Sequence, residues 1–505
     1  MVVPRGPRIL VAVALICFVA LVVTFLHRDA FANLRLRPDS LWPSTHTPAA
    51  DDDDEHNNTT ALDPNAHRLP SADSFHAHFA AVTRLKGITM AEAKAGCHWP
   101  DGQFVNFQFV PDVEWVVKDR SDEEIAARRR AWQEYVDGRS RDESLIPWEE
   151  VKDKFSGRGV VVLAGNDQTV MQLKVVLRRL ANLRSTIPVE VHYWDDEMDE
   201  ATRAELAGLY QPLSFNDLSQ PHNIVRVKKD GKYINYQLKN AAVVNSRFAE
   251  LLLLDSDNVP VLDPAVLFDS RVYQEYHTVF WPDMARTRPQ NPAWALTNTP
   301  CRMDEYEQES GQMLVDKRRF WYHVQLAAWM NRGEQAAYYN AFLLGDKDMF
   351  RFAWHALKTA YGRPRKWLAS VGTLNAGFFC GHSFGQHHPD DGRLAFLHGG
   401  AAKFAAPELL RWNKAHLGYF RHYKRSPTDE DPSVSVRAGI VWDEAAYMPN
   451  RSAQFKGMVC NDITDAEPRS LDDLLPGFDR EFEAAGGYWK LEQEGEAETQ
   501  AAAGG

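Results

Sequence analysis

Two aspartates one residue apart, Asp255 and Asp257, follow directly on four leucines, Leu251 to Leu254. The leucines form the short apolar run of a buried strand, so the carboxylates fall where strand gives way to loop. Paired there, they offer hard oxygen ligands to Mg²⁺ or Mn²⁺ and leave coordination positions for the phosphates of a nucleotide. In open α/β sheets ligands bind just outside the carboxyl ends of strands. The plain alternative is a strand end with two solvated acids and a turn at Asn258, since Asp and Asn are common turn residues. The leucines before the pair, and Asn258-Val259-Pro260 after it, favour the ligand-binding reading.

The segments around the pair alternate in period. Gly159 to Gly165 is an apolar run that ends in glycine, and it predicts a buried strand. From Thr169 to Asn182, Val170, Leu173, Val176, Leu177 and Leu180 recur at helical spacing. Val189 to Trp194 predicts a second strand, followed by an acidic helix start at Asp195. Tyr236 to Arg247 predicts a helix that feeds the leucine strand. A short helix is expected over Pro264–Phe268, a strand over Thr278–Trp281, and aromatic-rich helices over Arg319–Trp329 and Tyr338–Leu344. Strands alternating with helices imply an α/β fold with a mostly parallel central sheet. No internal repeat is present.

With 505 residues the chain can bury a real core, and 44% hydrophobic with 25% charged residues is a globular composition. A net charge of −12, with no basic stripe, argues against nucleic acid as a partner. Ile9 to Leu26 is apolar except for Thr24 and just long enough to span a bilayer, with Arg5 and Arg8 before it. An uncleaved signal anchor is favoured over a cleaved signal peptide, although Ala30-Phe31-Ala32 resembles a cleavage site. The expected organisation is a cytosolic tail (1–8), an anchor (9–26) and a disordered stalk (27–75) with sequons at Asn57 and Asn58. A helical preamble (76–150), a catalytic body (151–482) and a disordered tail (483–505) follow. This is the layout of a single-pass type II membrane protein of the secretory pathway. Cys97, Cys301, Cys380 and Cys460 lie in the body, an even number compatible with two disulfides, whose pairing the sequence leaves open against free thiols.

Over about residues 157–420 the chain resembles the fungal Golgi α-mannosyltransferases that extend and branch mannan, glycosyltransferase family 71. The stretches that carry the resemblance are Gly159 to Gly165, Lys239-Asn-Ala-Ala242 and Leu252 to Pro260. Glu309-Ser-Gly-Gln312, Val315-Asp-Lys317, Gly345-Asp-Lys-Asp348 and Leu397-His-Gly-Gly400 follow in order. The resemblance implies a single GT-A domain, GDP-mannose as donor, a mannose-containing glycan as acceptor, and Mn²⁺ or another divalent cation. It also implies a Golgi membrane location with the body in the lumen, with a Golgi enzyme complex left open.

Residue by residue, the resemblance gives Asp255 and Asp257 the metal positions, with His398 as the third ligand. Lys403 would contact the donor diphosphate, at a spacing one residue shorter than the commonest version. Gly165 and Lys239 would line the donor, the lysine reaching its phosphates. Either Glu309, through its carboxylate, or Gln312, through its amide oxygen, both expected on a loop or helix start, would lie beneath the anomeric carbon and stabilise positive charge. Asp346, with Asp348, would hold sugar hydroxyls or the acceptor. Each has a plainer reading as well: a packed histidine, a helix cap at Ser310 or Asp346, a solvated lysine at 239. Two rival functions fit parts of the pattern. A haloacid-dehalogenase-like phosphatase shares an apolar strand ending in Asp-x-Asp, but there the pair closes the first strand of the domain. A catalytically inactive lumenal glycan-binding protein would not require both aspartates and the histidine.

Overall fold

The computed structural model describes residues 69, 71–98, 118–140, 145–227, 234–343, 345–399, 407–426, 438–441, 460–463 and 466–493. Anchor, cytosolic tail, most of the stalk and Lys403 lie outside the described residues. Among the described residues no helix is long and apolar enough to cross a membrane.

The centre is a six-stranded sheet of β1 (Arg158–Leu163), β2 (Val189–Tyr193), β3 (Leu213–Asp217), β4 (Glu250–Asp255), β6 (Thr278–Pro282) and β7 (Gln308–Asp316). Its order is β3-β2-β1-β4-β7-β6. β1 to β4 pair in parallel, whereas β7 runs antiparallel to both β4 and β6. One reversed strand therefore sits inside a sheet that otherwise points one way. β4 is buried from Glu250 to Leu254, as a strand covered on both faces must be. Leu251 and Leu253 pack in the core under the helices Ile234–Asn245 and Lys317–Met330, and Leu252 and Leu254 in the core under Asp167–Asn182.

The helix expected from Thr169 starts two residues earlier and runs Asp167–Asn182. Asn166 caps it, its side chain accepting from Thr169 N–H at 3.0 Å. The helix expected over Tyr338–Leu344 instead runs Gly333–Tyr339, opening on Gly333 at φ +52 after the cap position Arg332. The tail expected from 483 is also corrected. Packed structure continues to residue 493, with Tyr488 only 4% exposed in the core around Tyr419 and Phe482. The expected stalk likewise ends before 75, since Phe75 is buried in the Phe75–Val82 helix and stacks on Tyr322 at 4.0 Å.

A second, antiparallel sheet was not anticipated. It contains β8 (Ala369–Asn375), β9 (Phe378–His387), β10 (Leu394–His398), β11 (His422–Lys424), β12 (Ala438–Val441), β13 (Cys460–Ile463) and β14 (Arg469–Ser470), with β5 (Asn258–Pro260) paired to β10. Disulfides Cys97–Cys301 and Cys380–Cys460 close two of the long loops. The first ties the preamble to the body. The preamble's Asp122–Val136 helix buries Ile125, Trp132, Tyr135 and Val136, with Tyr135 stacked on Trp329 at 5.2 Å.

Candidate metal and donor site

β4 delivers Asp255 at its carboxyl end, and β5 begins three residues later with Asn258. β5 pairs antiparallel with β10, and Asn258 lies directly opposite His398. The first and last expected ligands are thus brought together by a strand ladder, not by loop chance. Asp255, Asp257 and His398 each offer one ligand atom, and the three atoms lie within 4.8 Å of one another. His398 Nε2 is 3.2 Å from Asp257 Oδ1 and 3.8 Å from Asp255 Oδ2.

Glu309 sits behind the imidazole, with His398 Nδ1 2.5 Å from its Oε2, while its Oε1 accepts from Gly311 N–H at 2.8 Å. A carboxylate on one ring nitrogen orients the other, the arrangement found behind metal-binding histidines. The fit to a divalent cation follows from this donor set of two carboxylates and one oriented imidazole, a mixed O/N set suited to Mn²⁺. Gly311 makes the approach feasible: a Cβ there would stand 2.7 Å from His398 Cε1 and Nδ1. Gly399 N–H donates to Asp257 O at 3.0 Å and closes the loop on the other side.

Burial opposes the charge on His398, but Glu309 and Asp257 more than offset it and lift the imidazole to about 10. Burial likewise pushes Glu309 up, yet His398 and the Gly311 N–H hold it down at about 2. Asp255 is raised, chiefly by burial, with Asp257 and Asp346 adding to it against the pull of Lys239 and His398. Lys239, on the Ile234–Asn245 helix, bridges Asp255 at 2.8 Å and Asp346 at 3.1 Å, and donates to Ser310 Oγ at 3.2 Å. Burial disfavours its ammonium, but the two carboxylates raise it overall.

The remaining expected residues divide. Glu309 and Gln312 do not lie on a loop or helix start; both are in the interior of β7, which is buried throughout. Gln312 is 0% exposed, and its Oε1 accepts from Asn258 Nδ2 at 2.5 Å. Asp346 precedes the Lys347–Ala356 helix without making a side-chain cap bond. Asp348 belongs to a separate buried network, paired with Arg351 at 2.9 Å. Gly165 lies just past β1, whose Leu163 is opposite Asp255, and a Cβ there would meet Glu197 Oε2 at 2.4 Å. An opening of about 510 Å³ lies against Ser256, Asp257 and Gly399, walled by Tyr419, Tyr488 and Trp489.

The sequence offers Asn258 only as a turn and Ser310 only as a helix cap, and gives Gly311 no role, although the last two stand between Glu309 and Gln312. Their signal is available only in part: a small-residue pair inside a polar strand marks a close approach. Lys347, which no sequence pattern marks, bridges Asp283 at 2.6 Å and Glu307 at 2.9 Å.

A mostly parallel sheet with two aspartates and a histidine converging at its carboxyl edge defines an α/β protein with a divalent-cation type of site. Over residues 157–305 and 296–388 the chain matches the model of a family described as "Mannosyltransferase putative". Alpha-1,2-mannosyltransferase MNN24 of Candida albicans is 25% identical over 308 residues, which is 50% of this chain and 41% of that protein. Alpha-1,2-mannosyltransferase MNN2 of Saccharomyces cerevisiae is 26% identical over 168 residues, 33% of this chain and 26% of that protein. The chain spans less than half the length of either relative. Among solved structures, galactosyltransferase LgtC in complex with donor and acceptor sugar analogs overlaps 41% of this chain and 74% of its own, at a TM-score of 0.29 and 16% identity.

Proposed function

We propose that the chain is a retaining α-mannosyltransferase of GT-A type, moving mannose from GDP-mannose to a mannose-containing glycan with Mn²⁺ held by Asp255, Asp257 and His398. The observation that carries this reading is the convergence of those three side chains at the sheet edge, with Glu309 behind the imidazole. The related proteins, named as mannosyltransferases, support the choice of sugar. The bound cation supplies charge neutralisation for the departing diphosphate.

The chain's own residues do the rest. Lys239 places an ammonium beside Asp255, where it meets a phosphate oxygen. Asp346 holds that lysine from the other side. Glu309 and Gln312, engaged by His398 and Asn258, act as positioning residues for the ligand set. The opening beside Asp257 gives room for the nucleoside. Retention requires the acceptor hydroxyl to enter on the face the diphosphate leaves, so its proton passes to a leaving phosphate oxygen. Aligning the two reactants supplies the proximity contribution. We place the body in the Golgi lumen behind an anchor at residues 9–26, a location that two disulfides support.

GDP release from GDP-mannose in the presence of Mn²⁺ and a mannoside tests the reading. Asp257→Asn is expected to lower turnover roughly 10²–10³-fold without loss of fold, as removal of one charge-stabilising group does. An Asn variant with the wild-type rate, or wild type active in EDTA, would rule the reading out. The phosphatase alternative loses its main support, since Asp255 ends the fourth strand in chain order.

A further inference from the structure

We propose that an opening of about 350 Å³, its mouth included, between β6, β7 and the Lys347–Ala356 helix seats the acceptor's sugar ring, a neutral pyranoside rich in hydroxyls. This rests on the transferase reading above and adds the place where the second substrate binds. Trp281, Glu305, Glu307, Gln308, Arg351 and Tyr361 are on its walls.

Position comes first. β6 runs parallel to β4, so its carboxyl end, Trp281–Pro282, opens on the same sheet edge as Asp255. Trp281 lies directly opposite Glu309, the residue that holds His398. Facing residues on paired strands are about 5 Å apart. One strand pair therefore separates the opening from the ligand cluster, a distance a sugar ring can bridge.

The chemistry of the walls selects the occupant. Gln308 is 1% exposed, and neither its amide nitrogen nor its amide oxygen has a partner among the described residues. An orphaned buried amide is costly to keep, and such groups mark strain, function or a bound molecule. It offers one donor and one acceptor side by side, which matches two neighbouring hydroxyls. The groups around it are fixed. Arg351 is held by Asp348 at 2.9 Å and Glu305 at 2.8 Å, and Tyr361 Oη donates to Glu305 at 2.7 Å. Tyr361, partly exposed in the wall, adds an apolar face of the kind that the C–H face of a pyranose packs on. Glu305 and Glu307 share the wall with Arg351 and Arg363 and are paired with Arg351 and Lys347, so the charges there are balanced and the seat suits an uncharged ring rich in hydroxyls.

Gln308→Leu keeps the volume and removes the amide. The probe is methyl α-D-mannoside, used on the full chain as acceptor in transfer kinetics and as ligand in saturation-transfer NMR. The acceptor KM is expected to rise by about tenfold or more, with the KM for GDP-mannose moving less than about twofold. The melting temperature should not fall, because an unpartnered amide has been exchanged for an apolar side chain. A folded Gln308→Leu with the wild-type acceptor KM overturns the proposal, and the amide then serves a buried water. If the wild type transfers nothing from GDP-mannose, the transferase reading fails on its own and NMR alone decides the seat. Saturation transfer to the mannoside that is lost in Gln308→Leu upholds it; no signal, or an equal one, overturns it. Should Gln308→Leu not fold, Gln308→Glu, which keeps an acceptor and removes the donor, is measured in the same way.

Discussion

His398 is constrained on three sides: Glu309 on Nδ1, Asp257 before Nε2, and the bare backbone of Gly311 against Cε1. The ring can point its free nitrogen only at the aspartates. Glu309→Gln replaces the carboxylate with an amide that holds the ring less firmly and makes Nε2 less basic. We expect the fold to persist and the Mn²⁺ requirement to rise about 10–100-fold, as changes behind a metal-binding histidine do. A manganese titration of GDP release reads this, and an unchanged midpoint would mean that Glu309 serves only packing. Asp255 and Asp257 stand out in the sequence as a local pattern after an apolar run, and the resemblance alone points to His398; the structure brings these three candidate side chains together. The role of Glu309 was not legible, because it reaches His398 across 89 residues. Gln312, one of two candidates for the anomeric carbon, contacts Asn258, a partner no spacing rule could name.

At the scale of elements, the site depends on register. Asn258 pairs with His398 in the β5–β10 ladder, and a slip of one residue would turn the imidazole to the other face. β2 carries a second lock. Glu190 accepts from Arg247 N–H at 3.1 Å and faces His192 Nε2 at 3.2 Å, fixing the turn that leads into β4. Burial works against its charge, but His192, Ser246 and the Arg247 N–H bring it down to about 2 from 4.5. A depressed carboxylate stabilises the fold above the unfolded value, and the benefit is lost as pH falls from about 4.5 towards 2. That gap corresponds to about 3 kcal/mol. Urea unfolding between pH 5 and 2 should therefore show a shallower loss of stability in Glu190→Gln, which starts lower at pH 7; an equal slope would assign the acid sensitivity elsewhere.

The alternation from β1 to β4 could be read because each strand is apolar and each helix keeps its period. β7 could not, since Gln308-Glu-Ser-Gly-Gln312 has the composition of a loop. Its polar residues are buried because they belong to the site and its surroundings. β9, with two glycines, two histidines and one cysteine among ten residues, has equally weak strand propensity and forms through pairing with its neighbours.

For the whole molecule, Cys97–Cys301 joins the preamble to the body over a separation of 204 residues, and Cys380–Cys460 joins β9 to β13. Such bonds persist in an oxidising compartment. With the proposed lumenal body, protease added to intact vesicles should spare residues 71–493 and digest them once detergent is present. Digestion without detergent would reverse the orientation. The even cysteine count was legible; the partners were not, because pairing depends on how two sheets and a preamble meet.

The ligand set has one further consequence at this scale. Asp255 ends a strand of the first sheet, whereas His398 ends a strand of the second. The proposed cation, shared between them, would be a rivet through two layers as well as a reagent. By mass action, whatever binds only the assembled layers also shifts the folding equilibrium. With the proposed cation, its supply would then govern how long the protein lasts as well as how fast it works.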